Sequence, residues 1–205
     1  MLFRSIYVVH VYHAVGSEAN AKKWLGKARL TNDVDLIWLR ADPLLKDLPK
    51  DATPNFETAE RHITELLERD MPNLPYHNIE HVRDVVQSAK LISDNQGILE
   101  ADQKIIGLAA LLHDIGFSKG AEDHEARGAE TARELLPQFG LEDKQIEVIA
   151  NMILATKLPQ SPQTHLEKIL CDADLDYLGR DDFWEISRRL FLEMKNVGVV
   201  ETERE

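Results

Sequence analysis

The chain has 205 residues, 43% hydrophobic and 29% charged with only 10 Gly and 8 Pro, which allows one full-sized core and excludes a collagenous, low-complexity or wholly disordered protein. Its 24 Lys and Arg against 36 Asp and Glu leave a formal charge of −12, which repels phosphate backbones and argues against a nucleic-acid polymer or a membrane surface as partner. The single cysteine, Cys171, forms no internal disulfide and no thiolate zinc cluster, as expected of a reducing, cytoplasmic setting.

Residues 1–54 read as an N-terminal extension. It carries β-favouring runs at Ile6–Tyr12 and Leu36–Leu39, then Pro43, Pro49 and Pro54, which read as a linker. The apolar stretch Ile6 to Val15 is interrupted by His10 and His13, and it is shorter than the roughly 20 residues a membrane span needs. From residue 55 to 205 the pattern is helical. Phe56, Ala59, Ile63, Leu66 and Leu67 recur at helical spacing until Met71-Pro72-Asn73-Leu74-Pro75 breaks it. Ile79, Val82, Val85, Val86, Ala89 and Ile92 share one arc of a second helix, and His77, His81, Asp84 and Ser88 form a polar stripe beside it. Ile105 to Leu112 is apolar on all sides and runs into His113-Asp114, the pattern of a central helix that delivers two polar groups to the interior. Asp123 is placed to cap a helix from His124 through Leu136, and another runs from about Glu142 to Thr156. Thr164 and Glu167 form a capping-box pattern for a helix through Cys171 toward Leu178, and Asp182 to Met194 supplies the last. With no strand alternation after residue 55, this portion is expected to be all-α.

Chemistry concentrates at His77 and His81, at His113-Asp114, at His124, and in the acidic group Asp172, Asp174, Asp176. Imidazole and carboxylate without thiolate suit Mn, Fe, Co, Ni or Mg better than structural zinc. The doublet is the most telling feature, because His113 and Asp114 behind Leu108-Ala109-Ala110-Leu111-Leu112 incur a desolvation cost that only a partner offsets. A single buried histidine is more often a satisfied core residue than a ligand, so the weight rests on the constellation.

A His, a His-Asp doublet and a distant Asp in this order resemble the HD superfamily of metal-dependent phosphohydrolases over about residues 55–205. Tyr76-His77-Asn78-Ile79-Glu80-His81-Val82-Arg83-Asp84-Val85 is also similar to the matching segment of cyclic-nucleotide phosphodiesterases. The resemblance implies an HD-type helical bundle and a divalent metal held by His81, His113, Asp114 and Asp174. Asp174 is favoured over Asp172 because Ala173-Asp174-Leu175 matches the run that closes such sites. It further implies that His77 is the acid and that Asp114 bridges or orients the attacking water. In binuclear members His124 would join Asp114 at a second ion. The last ligand of those members is missing, because Thr156-Lys157 stands where the second histidine is expected. A mono-metal or weakly binuclear hydrolase of a small phosphate ester is therefore favoured, with His124 and Lys157 as candidate phosphate contacts. Two other readings stand beside it: a regulatory module that binds metal or nucleotide without turnover, which an acid at His77 argues against, and an iron oxygenase, which the loss at Thr156 argues against.

Overall fold

The computed structural model describes residues 54–200. The runs Ile6–Tyr12 and Leu36–Leu39, Pro43, Pro49 and the terminal Glu201–Glu205 lie outside the described residues. Within them the order is α1 (Phe56–Asp70), α2 (Ile79–Asn95), α3 (Glu100–Leu112), a 3₁₀ turn (Ile115–Lys119), α4 (His124–Leu135), a 3₁₀ turn (Leu136–Phe139), α5 (Asp143–Ala155), α6 (His165–Asp174), a 3₁₀ turn (Asp176–Gly179) and α7 (Phe183–Asn196). Every described element is helical. None of these helices is long and apolar enough to cross a membrane.

Helix starts follow local chemistry. Asn55 Oδ1 accepts the Thr58 N–H at the head of α1, and Asn78 Oδ1 accepts the N–H groups of Glu80 and His81 at the head of α2. Asn78 also donates from Nδ2 to the Leu74 carbonyl at 2.8 Å, which ties the approaching loop to the helix start. His77 therefore precedes the cap and lies on that loop, not on the polar stripe one turn before His81. Thr164 and Glu167 form the reciprocal capping box expected at α6, although the helix stops at Asp174 and a separate 3₁₀ turn carries the chain to Gly179, short of the expected run toward Leu178. Asp123 sits at the start of α4 without capping it. Its backbone is left-handed at φ 49°, and its carboxylate accepts from Lys157 Nζ at 2.7 Å instead.

The core is organised around α3, which packs against α1, α2, α4, α5 and α6. Its Ile105, Ile106, Leu108, Ala109, Ala110, Leu111 and Leu112 are all buried, as a helix surrounded on every side requires. Burying each large aliphatic contributes about 1.5–3 kcal/mol, and this holds the C-terminal end of α3 at the centre of the bundle. Helix α7 is different: among its residues only Glu193 is fully buried, and it packs on the Asp176–Gly179 turn.

Candidate metal centre

The chain leaves α3 at His113 and Asp114, 1% and 3% exposed. His113 Nδ1–H donates to the Ala110 carbonyl at 2.7 Å, and this bond sets the tautomer that leaves a lone pair on Nε2. That Nε2 lies 3.4 Å from His81 Nε2, which comes from the first turn of α2. Asp174, the last residue of α6, brings Oδ1 to 3.3 Å from His81 Nε2 and 3.6 Å from His113 Nε2. Asp114 Oδ2 closes the group at 3.2 Å from His113 Nε2 and 3.5 Å from His81 Nε2.

Neither of the last two contacts has hydrogen-bond geometry. Asp114 Oδ2 is the one buried side-chain polar atom among the described residues with no hydrogen-bond partner. Leaving an anionic oxygen dry and unbonded costs several kcal/mol unless a cation meets it. Donors bound side by side to one octahedral cation at about 2.1 Å sit about 3 Å apart, so spacings of 3.2–3.6 Å fit such an ion after a small inward movement. The ligand atoms of His81, His113 and Asp174 all lie within 4.8 Å of one another and could hold it. Electrostatics agree. Burial works against a charged His113, yet the neighbouring Asp114 and Asp174 carboxylates push its pKa up to about 9. Burial likewise opposes the Asp114 anion, but His113, His81 and His77 hold its pKa far below the usual carboxylate range.

His124 reaches the opposite side of the same carboxylate, with Nε2 3.4 Å from Asp114 Oδ1. Two glycines bring it there. A Cβ on Gly116 would stand 2.0 Å from the His124 carbonyl oxygen, and one on Gly128 would stand 3.0 Å from that of Leu112. Only bare backbone permits α4 to lie this close to the end of α3. Glu125, buried and next in the chain, points Oε1 to 3.4 Å from His124 Nε2; sequence reading passed over it by counting histidines alone.

His77 Nδ1 lies 2.5 Å from Glu193 Oε1, while Glu193 Oε2 accepts the backbone N–H groups of Tyr76 and His77 at 2.9 and 3.0 Å. Burial opposes the Glu193 anion, but these three bonds prevail and hold its pKa below the usual value. Phe117 stacks on the His77 ring at 4.1 Å and 17°, and also touches the His124 ring at 4.1 Å. Sequence reading missed Glu193 because 116 positions separate it from His77. Its one local signal is a charged residue on the inner face of the otherwise amphipathic α7.

Asp172 is exposed, whereas Asp176 accepts from Ser88 Oγ at 3.0 Å. Asp84 pairs with Arg180, so the rest of the α2 stripe serves an ion-pair network rather than the metal group. The Thr156 hydroxyl turns back onto its own helix, donating to the Ile153 carbonyl at 2.8 Å. Lys157 is exposed and paired with Asp123. A cavity of about 260 Å³ opens beside His81, lined by Tyr76, Tyr177, Arg180 and Arg189 among others.

Residues 78–176 match the family model of the HD domain, a span that takes in His81, the His113-Asp114 doublet and Asp174. This chain carries an HD domain. Over 59 residues it is 41% identical to a bifunctional uridylyltransferase/uridylyl-removing enzyme from Erythrobacter litoralis (strain HTCC2594), covering 29% of this chain and 6% of that one. Over 81 residues it is 36% identical to an uncharacterized protein of Clostridium beijerinckii (strain ATCC 51743 / NCIMB 8052), covering 38% and 51%. The chain thus spans about half the length of one of these curated relatives and a small fraction of the other. Among solved structures, it resembles the crystal structure of a predicted HD superfamily hydrolase from an uncultured Thermotogales bacterium, with TM-score 0.54, 28% identity, and 62% of this chain and 74% of that one covered. The matched HD-domain span contains neither His77 nor Glu193, which pair across the loop before α2 and the last helix.

Proposed function

We propose that the chain is a metal-dependent phosphohydrolase that cleaves a small phosphate ester, a nucleotide or another phosphorylated metabolite. The observation that carries this reading is the stranded Asp114 Oδ2, set among two imidazole nitrogens beside a histidine poised for proton transfer. The hydrolase likeness of the Thermotogales protein supports the reaction class. When bound, a divalent cation supplies Lewis acidity, making hydroxide available near neutral pH and polarising a phosphoryl oxygen. His81, His113, Asp114 and Asp174 would hold it. Of these, His113 is pre-set by Ala110, so no tautomer change is needed on binding.

Glu193 fixes His77 Nδ1 as the inward nitrogen, which leaves Nε2, without a hydrogen bond among the described residues, to give a proton to the leaving alkoxide. Phe117 covers one face of that ring and keeps water from it. His124 serves the substrate phosphate or a further ion. Lys157 would reach the phosphate only by leaving Asp123, an exposed pairing whose loss costs at most about 1 kcal/mol. The test is elemental analysis of the purified full chain followed by a phosphate-release screen over nucleotides and sugar phosphates in Mn²⁺, Mg²⁺, Fe²⁺, Co²⁺ or Ni²⁺. Metal retained with no release from any phosphate ester would overturn hydrolysis in favour of a binding module.

A further inference from the structure

We propose that Tyr76 is a positioning residue of the metal group: its ring, and no hydrogen bond, sets the plane of the His81 imidazole and with it the affinity for the cation. The inference rests on the metal reading of His81, His113, Asp114 and Asp174 and deepens it. The imidazoles around the site are of two kinds. His113 Nδ1–H donates to the Ala110 carbonyl at 2.7 Å, His124 Nδ1–H donates to the Ala121 carbonyl at 2.8 Å, and His77 Nδ1 pairs with Glu193. Each of these rings is turned by a bond on Nδ1, which leaves Nε2 to face the site. His81 is the exception. Its Nε2 faces His113, Asp114 and Asp174, but its Nδ1 makes no hydrogen bond among the described residues. A ligand imidazole is ordinarily oriented by such a bond, so something else must hold this ring.

Tyr76 stands in that place. Its ring lies over the His81 ring, with centroids 4.5 Å apart and planes tilted by 34°. The His113 ring meets the same imidazole more nearly edge-on, at 5.3 Å and 70°, so two rings bear on it. Tyr76 is itself held from several directions. It is buried, its N–H donates to Glu193 Oε2 at 2.9 Å, and its carbonyl accepts the Asn78 N–H at 2.9 Å. Its ring also meets His77 edge-on at 4.8 Å and 86°, and Tyr177 at 5.7 Å and 64°. A ring so fixed restricts the torsion of its neighbour, because turning His81 would drive the imidazole into the Tyr76 face in a close-packed interior. Tyr76 therefore acts on the cation through His81, and the aromatic plane carries the effect while the hydroxyl does not.

The experiment compares Tyr76→Phe and Tyr76→Leu with the unmodified chain, each full-length and chelator-stripped, by Mn²⁺ calorimetry and by NMR of histidine labelled with ¹³C at Cε1. Tyr76→Phe keeps the ring and should keep the affinity. Tyr76→Leu fills much of the space without a plane and should weaken Mn²⁺ by about 10–100-fold, the usual cost of losing the group that orients a ligand. Before any metal is added, the His81 Cε1–H signal, identified through His81→Gln, should broaden in Tyr76→Leu as the ring samples more than one orientation. That of His113, tied to Ala110, should stay sharp. Tyr76→Met covers the case in which Tyr76→Leu does not fold. Unchanged affinity in the non-aromatic variant, or an equal loss in Tyr76→Phe, overturns the proposal. So does a His113 signal that broadens together with that of His81, which would make Tyr76 a part of general packing alone. A chain that binds no Mn²⁺ while the His81 signal broadens as stated overturns the metal reading and not the placement of the ring.

Discussion

At the scale of single residues, Asp114 and His77 ask for different experiments because one is stranded and the other is held. Asp114→Ala and His113→Ala each remove a donor from a buried group whose remaining members then lack compensation, so both variants should lose bound metal and melt earlier. Elemental analysis with a thermal melt checks this, and unchanged metal content in both would remove the proposed ligands. His77→Ala touches no ligand position. It should keep its metal while turnover of esters with poor leaving groups falls about 10²–10⁴-fold, and p-nitrophenyl phosphate, whose leaving group needs little protonation, should lose much less. Equal losses on both substrates would take His77 out of the acid role. Glu193→Gln keeps the two backbone acceptor bonds in shape and removes the charge at His77 Nδ1. It should lower turnover of esters with poor leaving groups more than that of p-nitrophenyl phosphate while metal content stays constant, a separation that loss of packing alone would not produce. The folded-state pKa of Glu193 is depressed, so its stabilisation is present above the ordinary glutamate value of 4.5 and is lost as pH falls through the lower folded value; Glu193→Gln should therefore flatten stability below about pH 4.5.

At the scale of elements, the site depends on how closely α4 lies against the end of α3. Gly116→Ala places a methyl 2.0 Å from the His124 carbonyl oxygen, backbone that has no rotamer in which to yield. The helix start must shift, at a cost of about 1–3 kcal/mol, and His124 should withdraw from Asp114 with it. Thr164→Ala is the control: it deletes one half of the α6 capping box, costs about 1 kcal/mol by denaturant melt, and should leave metal binding unchanged. Equal metal loss in both would mean that the glycine contact has no special bearing on the site. The same elements show what a sequence discloses. Helices α1 to α7 were legible because apolar spacing and caps are local, and the His113-Asp114 doublet was legible because charge behind an apolar run is locally anomalous. What escaped was long-range or finely geometric. Asn78 as cap displaces His77 from α2, Asp123 turns left-handed toward Lys157, and Glu193 meets His77 only because α7 folds back across the bundle. Glu125 escaped for a different reason: its type and place are ordinary for a first helical turn, and only its burial marks it.

At the scale of the whole molecule, α3 ties core packing to the proposed metal site, because the helix that fills the centre leads directly into His113 and Asp114, the two most buried of the proposed ligands. Filling the site should therefore stabilise the entire bundle and not a loop alone. A cation that binds the folded chain and not the unfolded one stabilises it by about 2.7 kcal/mol at a concentration 100 times its dissociation constant. Protons compete for the same position. In the ion-free protein the His113 pKa is raised to about 9, above its ordinary 6.5, so its protonated form contributes stability that is fully present below about pH 6.5 and is lost as pH rises through 9. Over this window the ion-free chain should lose that contribution. The cation, which needs His113 neutral, gains affinity over the same window as less proton must be displaced. The rise in Tm on adding Mn²⁺ should then grow from pH 6 to pH 9, and in His113→Ala it should be smaller and lose this pH dependence. Differential scanning fluorimetry at fixed Mn²⁺ across that range reads both trends, and a Tm shift independent of pH in the unmodified chain would show that the ion binds elsewhere than on His113.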